Sequence, residues 1–284
     1  IYKFIESGIT TVRALLLSGF PGKKLRRSKD HCVILGNGPS LSESLSLHND
    51  IIKDNSFDKV CVNDFPVTDL FEQIKPEYYV FLAPEYWLKN MPERYVQMRE
   101  NVFNALTNKV NWNLTLLAPF GFKKNKEAHL LLGKNSYIKI KYYNTTPIEG
   151  FSILSNLLIS LRMGLPRPHN VLVPAICLMT NMRYKNIFLL GADHSWLREI
   201  NVNDQNEALV RQKRFFDSET SRSEQMYRLA KRPRRLYEIL EKFMLAFKAY
   251  HFIDDYAQKK NVKIWNTTPD SYIDAFERKQ DLTV

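Results

Sequence analysis

"CVILGNGPSLSES", Cys32 to Ser44, is the stretch that decides the fold. An apolar run of strand length stops at Gly36-Asn37-Gly38-Pro39-Ser40, and a polar, helix-starting segment follows. A short continuous apolar run bounded by turn residues fits a strand buried on both faces. Two glycines, an amide and a hydroxyl at the junction exceed what a plain turn requires.

The same alternation continues outward from it. "HCVIL" (His31 to Leu35), "KVCV" (Lys59 to Val62), "YYVFL" (Tyr78 to Leu82), "LTLL" (Leu114 to Leu117), "YIKIKYY" (Tyr137 to Tyr143), "NIFLL" (Asn186 to Leu190) and "VKIW" (Val262 to Trp265) are strand candidates. Helical patterns lie between most of them, notably "FSILSNLLISLRMG" from Phe151 and "NVLVPAICLMTNM" from Asn170. Strands alternating with helices predict the α/β class: a Rossmann-like, mostly parallel sheet with helices on both faces. No internal repeat or low-complexity tract interrupts it. From Asn203 to Lys260 only helical texture is found, which predicts a helical insertion before the last strand, either a solvated helix pair or a lid or acceptor-binding element. It contains "RLAKRPRR", with Arg228, Lys231, Arg232, Arg234 and Arg235 and no acid among them; Pro233 is expected to open a helix at its first turn.

The 284 residues suffice for one large domain. We divide them into residues 1–28, an N-terminal helix and basic segment, and residues 29–284, one α/β domain with the insertion at about 203–260. A hydrophobic share of 44% with 25% charged residues is ordinary for a soluble globular protein. Cys32, Cys61 and Cys177 are odd in number, form no C-x-x-C pair and sit in apolar runs. They predict small buried hydrophobes in a reducing compartment, not a disulfide or zinc framework. No run of about 20 apolar residues exists, so no membrane-spanning helix is expected. No signal-peptide pattern is visible, and the first residue is Ile1 rather than Met. A net charge of +11 favours anionic partners: nucleotide phosphates, nucleic acid or an acidic membrane surface.

"IYKFIESGITTVRALLLSGF" places Ile1, Phe4, Ile5, Ile9, Val12, Leu15 and Leu16 on one helical stripe, with "KKLRR" just beyond. Such a helix either packs on its own domain or lies on an anionic membrane.

In an open parallel sheet, ligands bind outside the carboxyl ends of the strands. Polar residues collect there in this sequence. They are Gly36 to Ser40 after the first strand, Asn63 and Asp64 after the second, and Glu85 and Tyr86 after the third. Gly191, Asp193, His194 and Ser195 follow "NIFLL", and Thr267 follows the last strand. Gly36 and Gly38 permit close backbone approach. A helix starting after Pro39 would aim free N–H groups at a phosphate. Asn37 and Asn63 can donate and accept, and Asp193 can accept from ribose hydroxyls. Leu41 stands where the dinucleotide fingerprint needs a third glycine, no Walker lysine follows, and neither zinc spacing nor G-x-S-x-G is present. His194 is the only histidine at a strand end, where it would serve as a base or as a structural hydrogen-bonder. His251, beside Asp254 and Asp255, is either a second base candidate or a helix-surface residue.

"VILGNGPSL" resembles the opening strand and loop of the bacterial sialyltransferases of the Campylobacter type (glycosyltransferase family 42-like). "VCVNDF", "MRYKNIFLLGAD" and "KKNVKIWNTTPDS" resemble later segments of that family, in the same order. "GNGPSL" is also similar to the pterin diphosphokinase-like and motility-accessory-factor proteins, so the likeness is to a superfamily. The resemblance implies a metal-independent, inverting transfer of a sialic acid, another nonulosonate or a Kdo-like sugar from a CMP donor to a bacterial lipooligosaccharide or capsule. No cofactor is implied, and the CMP-sugar is the donor substrate. It also implies that Asn37, Ser40, Asn63, Gly191 and Asp193 contact CMP and that Asn170 lies near a phosphate. The expected nucleotide set is therefore Gly36, Asn37, Gly38, Pro39, Ser40, Asn63, Asn170, Gly191, Asp193, Ser195 and Thr267. The candidate bases are His194, placed first, then His251, Glu85 and Asp64.

Departures from the family pattern fall in its catalytic half. Ser195 and Asn201 stand where the family has phosphate-holding tyrosines, Met244 where it has its histidine, and Ala83 near a missing asparagine. The alternative is an ATP- and Mg²⁺-dependent diphosphokinase of the 6-hydroxymethylpterin type, with Asp64 and Glu85 near the phosphates. A nucleic-acid partner is not expected, because the aromatics sit in apolar runs rather than among the basic clusters. The expected location is cytoplasmic, peripheral at the inner face of the bacterial inner membrane, with a glycan or glycolipid acceptor.

Overall fold

The computed structural model describes residues 2–20, 22–48, 54–217, 222–228 and 232–284. Ile1 of the N-terminal stripe and Lys231 of the basic run lie outside them. Helix α1 (Tyr2–Leu17) leads to strand β1 (His31–Leu35), α2 (Leu41–Leu47), β2 (Phe57–Val62), α3 (Leu70–Ile74) and β3 (Tyr78–Val80). Then come α4 (Glu93–Lys109), β4 (Leu114–Pro119), α5 (Lys126–Leu132), β5 (Ile138–Tyr143), α6 (Ser152–Ser160), α7 (Leu172–Met182) and β6 (Asn186–Leu190). The short strands β7 (Ile200–Val202), β8 (Ala208–Val210), β9 (Glu224–Gln225), β10 (Tyr227–Arg228) and β11 (Arg232–Pro233) precede the long helix α8 (Leu236–Gln258). Strands β12 (Lys263–Asn266) and β13 (Glu277–Arg278) finish the chain.

Eight strands form one parallel sheet in the order β13-β12-β6-β1-β2-β3-β4-β5. The chain walks outward from β1 to β5, returns to the other side of β1 as β6, and walks outward again. The direction of winding therefore reverses between β1 and β6. This is the α/β, Rossmann-like architecture, and the seven expected strands are all in the sheet. Only β13, two exposed residues long, carried no period to find.

Period-two alternation sorts the strand side chains into two cores. Cys32, Ile34, Val60 and Val62 pack beneath α7 and α8, with Ile176, Tyr250 and Ile253. Val33, Leu35, Cys61 and Tyr79 pack against Val102, Phe103 and Leu106 of α4 on the other face. Burial on both faces explains why β1 and β6 read as nearly unbroken apolar runs, while β2 carries Asp58 and Lys59 in its first half. The three cysteines are fully buried free thiols.

The insertion before β12 differs from its expected all-helical form. Its second half is α8, but β7, β8 and β9 make a small antiparallel sheet and β10 and β11 a hairpin. Strands of two or three residues are too short for any hydrophobic period to show. Pro233 lies in β11 instead of opening a helix, and α8 starts at Leu236, where the Glu238 carboxylate accepts from the Arg235 backbone N–H at 3.0 Å. The same carboxylate takes Arg232 through both oxygens (2.7 and 2.8 Å), so part of the basic run is paired internally. Ala208, Val210, Ile239 and Phe243 give this region its own small core. Among the described residues, no helix is long and apolar enough to cross a membrane.

Candidate functional site

The reversal between β1 and β6 opens a crevice at the carboxyl ends of the strands, where such sheets bind ligands. The two loops that leave β1 and β6 continue to pair beyond the strands. Gly36 N–H donates to the Leu190 carbonyl (2.8 Å) and Gly38 N–H to the Gly191 carbonyl (2.9 Å). A Cβ on Gly36 would strike the Gly191 carbonyl, and one on Gly38 the Asp193 carboxylate. The glycines of the opening motif are thus required first by loop-on-loop packing, whatever else they admit. Gly191 itself has φ +64°, a left-handed conformation that glycine adopts without strain.

Asp193 latches the two loops together. Its carboxylate accepts from the Ser40 backbone N–H (3.0 Å) and from the Ser40 hydroxyl (2.9 Å). Burial pushes its pKa up, and the Ser40 hydroxyl pulls the other way. The Ser40 N–H, which sequence reasoning offered to a phosphate, is therefore spent on Asp193; α2 behind it is only seven residues long.

Asn37 and Asn63 are different. Asn37 Nδ2 donates to the Val62 carbonyl at 3.2 Å, while its Oδ1 is buried with no hydrogen-bond partner. Asn63 Oδ1 is also buried without a partner. Its backbone is left-handed (φ +47°), which asparagine tolerates better than most residues. Two orphaned amide oxygens in one crevice are unusual, since buried acceptors are normally satisfied.

The crevice holds about 260 Å³, and its walls include Gly36, Asn37, Gly38, Pro39, Asn63, Asp64, Asn170, Gly191, Asp193, His194 and Ser195. Asn170 Oδ1 is committed to the N–H of Leu172 at the start of α7 (2.8 Å). Thr267 lies elsewhere, along a neighbouring depression, with its hydroxyl on the Leu189 carbonyl at 2.7 Å. The remaining wall was not legible in the sequence. Arg211, Gln212, Lys213 and Arg214, just after β8, cover the crevice. They are held there by Phe215, whose N–H donates to the Asn37 carbonyl (3.1 Å) and whose ring packs on Phe65 (5.4 Å). The cationic cluster that reaches the site is "RQKR"; a charge run alone does not say which surface it will face.

The four candidate bases are not brought together. Asp64, in the crevice, accepts from the Tyr86 hydroxyl (2.6 Å) and pairs with Arg214 (2.8 Å). His194 lines the crevice, but its Nε2 shares a 2.6 Å hydrogen bond with the Tyr250 hydroxyl and its ring stacks on Trp196 at 4.0 Å. Burial drops its pKa to about 3, so it is neutral at physiological pH. His251 is exposed on α8, 3.1 Å from Asp274, and does not line the crevice. Glu85 sits beside Tyr86 in a short 3₁₀ turn after β3, with a buried, unpartnered Oε2.

Glu85 belongs to a polar cluster that sequence reasoning did not assemble. The half-buried Lys242 of α8 has its Nζ 3.7 Å from the Met226 sulfur; desolvation, then Arg234, lowers its pKa to about 8, and Glu85 opposes them. His169, next to Asn170, falls to about 4 through burial, then through Lys242 and Arg167. His169 Nε2 and Arg234 Nε are buried without partners. Among the described residues, no group of three or more His, Cys, Asp or Glu gathers to hold a metal ion. Compared with known proteins, the chain matches no family model and no curated protein sequence.

Proposed function

We propose that this chain is a glycosyltransferase that holds a CMP-activated acidic sugar in the β1/β6 crevice and passes the sugar to a hydroxyl of a glycan or glycolipid acceptor. The observation that carries the reading is the pair of buried, unpartnered oxygens on Asn37 and Asn63. They need donors, and a nucleoside offers both ribose hydroxyls and an amino group. The basic wall of Arg211, Lys213 and Arg214 lines the same crevice and suits a donor phosphate. Ser40 and Asp193 shape the loop rather than presenting free groups.

In the reaction, the acceptor oxygen bonds to the anomeric carbon and the bond from that carbon to the phosphate oxygen breaks. The electron pair leaves with CMP, and the hydroxyl proton passes to a base. A neutral imidazole already bonded to Tyr250 is a poor proton acceptor, so of the four candidates we propose Glu85 as the base; it lies outside the crevice lining, and its buried Oε2 has an unused acceptor position. Lys242 and Arg234, which act electrostatically beside Glu85, suit the carboxylate of an acidic sugar.

The diphosphokinase alternative needs carboxylates available to a cation; Asp64 is engaged by Arg214 and Tyr86 and Asp193 by Ser40, which leaves Glu199 as the crevice carboxylate it would have to use. Calorimetric titration with CMP and with ATP, each in EDTA and in Mg²⁺, separates the two. CMP binding in EDTA, weakened in Asn37→Ala, supports the transferase; ATP binding only with Mg²⁺ refutes it.

A further inference from the structure

Helix α1 is attached to the domain by the wrong face for a core helix. It buries Ser7, Thr10 and Ala14, not its apolar stripe. Ser7 Oγ accepts from the Phe151 N–H (2.8 Å), and Thr10 Oγ1 from the Glu149 N–H (3.2 Å). Gly150, at φ +104°, lies against the Ser7 backbone with no room for a side chain. These polar contacts fix the rotation of the helix, and the stripe points outward. Leu16 is 77% exposed and Phe20 beyond the helix end 89%. The neighbouring α6 buries Leu158 and Ile159 but also turns apolar side chains outward, with Ile153 85% exposed, and the Phe4 and Phe151 rings meet edge to face at 5.4 Å to join the two helices. The result is a ridge of large apolar side chains facing away from the protein.

A basic rim adjoins this ridge. Just past the end of α1 lies a cavity of about 260 Å³, separate from the β1/β6 crevice. Phe20 and Ile140 contribute apolar wall, and Lys23, Lys24, Lys123 and Lys141 stand around it. Lys123 holds its ammonium over the Phe120 and Tyr142 rings, at 4.3 and 4.8 Å. An exposed apolar surface of this extent marks a docking site.

We propose that the outer face of α1 and α6, with the lysine-ringed cavity beside it, docks peripherally on a bilayer containing anionic lipid. A ridge inserts among acyl chains, while lysines at its foot meet phosphate headgroups. A second copy of the chain is the poorer occupant, because a net charge of +11 with lysines at the contact would set like charges against each other. The inference is independent of what the crevice binds.

The test is co-sedimentation with vesicles of phosphatidylcholine alone and of phosphatidylcholine mixed with phosphatidylglycerol, alongside size-exclusion chromatography. The wild-type chain is expected to sediment with the mixed vesicles, not with phosphatidylcholine, and to be released by salt. Leu16→Glu combined with Ile153→Glu should weaken binding roughly tenfold or more, and Lys23→Glu with Lys24→Glu by about 25-fold or more, at about fivefold per lysine lost. These residues are on the surface, and an unchanged circular dichroism spectrum verifies the fold; the salt and lipid arms on wild-type protein stand without the variants. No sedimentation with anionic vesicles, or equal sedimentation with both kinds, overturns the proposal. So does a dimer that Leu16→Glu dissociates, which would make the ridge an interface between copies.

Discussion

Asp193→Ala should uncouple the loops after β1 and β6. The carboxylate makes two charge-assisted hydrogen bonds to Ser40, at 3.0 and 2.9 Å. Each such bond is worth about 1.5–3 kcal/mol. Against this stands the cost of burying the charge, which is large enough that the folded pKa is raised despite both bonds. A carboxyl raised above its unfolded value loses stability as pH rises from the unfolded toward the folded pKa, so at neutral pH the charge itself is a net cost. The alanine removes bonds and cost together, leaving the Ser40 N–H without its partner; the net loss should be about 2–3 kcal/mol. For a chain of this size that lowers the melting midpoint by about 3–5 °C. Asp193→Asn keeps the shape, can accept from the N–H and donate to the hydroxyl, and sheds the burial cost, so it should fall within about 1 kcal/mol of wild type. The assay is urea denaturation at neutral pH, with scanning calorimetry as a second probe. If the alanine variant unfolds with wild type, the latch holds nothing. If the asparagine loses as much as the alanine, the charge stabilises rather than costs, and the reasoning is wrong.

Gly38→Ala places a methyl group into the Asp193 carboxylate and the Gly191 carbonyl, and should cost about 1–3 kcal/mol in the same denaturation assay. Asn37→Ala should weaken CMP binding about tenfold in calorimetric titration while changing stability by about 1 kcal/mol or less, because only one of its polar groups has a protein partner. Acid should destabilise the fold: His194 and His169 have folded pKa values of about 3 and about 4, below the free value of 6.5. The unfolded chain therefore binds more protons as pH falls below 6.5, and each histidine removes up to about 1.4 kcal/mol per pH unit until its folded pKa is reached. Urea midpoints at pH 7 and pH 5 should differ in wild type and differ less in His194→Asn; equal differences would sink the assignment. Glu85→Gln should abolish transfer from a CMP-sugar while leaving CMP binding intact, read by radiolabelled transfer and by titration.

The inner strands were legible from sequence because a parallel strand covered on both faces is mostly apolar, and β1 and β6 each show that in four consecutive residues and β2 in three, Val60 to Val62. The polar rim was legible for the complementary reason: side chains that interrupt such runs at one end gather at one edge of the sheet. Loop contacts were not. Sequence assigned Gly38, Ser40 and Asp193 to a ligand, whereas the fold uses Ser40 and Asp193 to satisfy each other and Gly38 to make space for them. That pairing spans 153 residues, and no local period encodes it.

Sequence by itself settled the α/β class, the free buried cysteines and the location of the crevice, because burial and strand period are local consequences of residue type. Tertiary structure alone decided which charged groups face that crevice, that His194 is spent on Tyr250, and which side of α1 is covered. The stripe of α1 leaves open by pattern whether it packs on the domain or faces outward; Ser7 and Thr10 find backbone N–H groups to bond and turn it outward. A helix has one rotation relative to its neighbours, and here specific hydrogen bonds set it in place of hydrophobic burial.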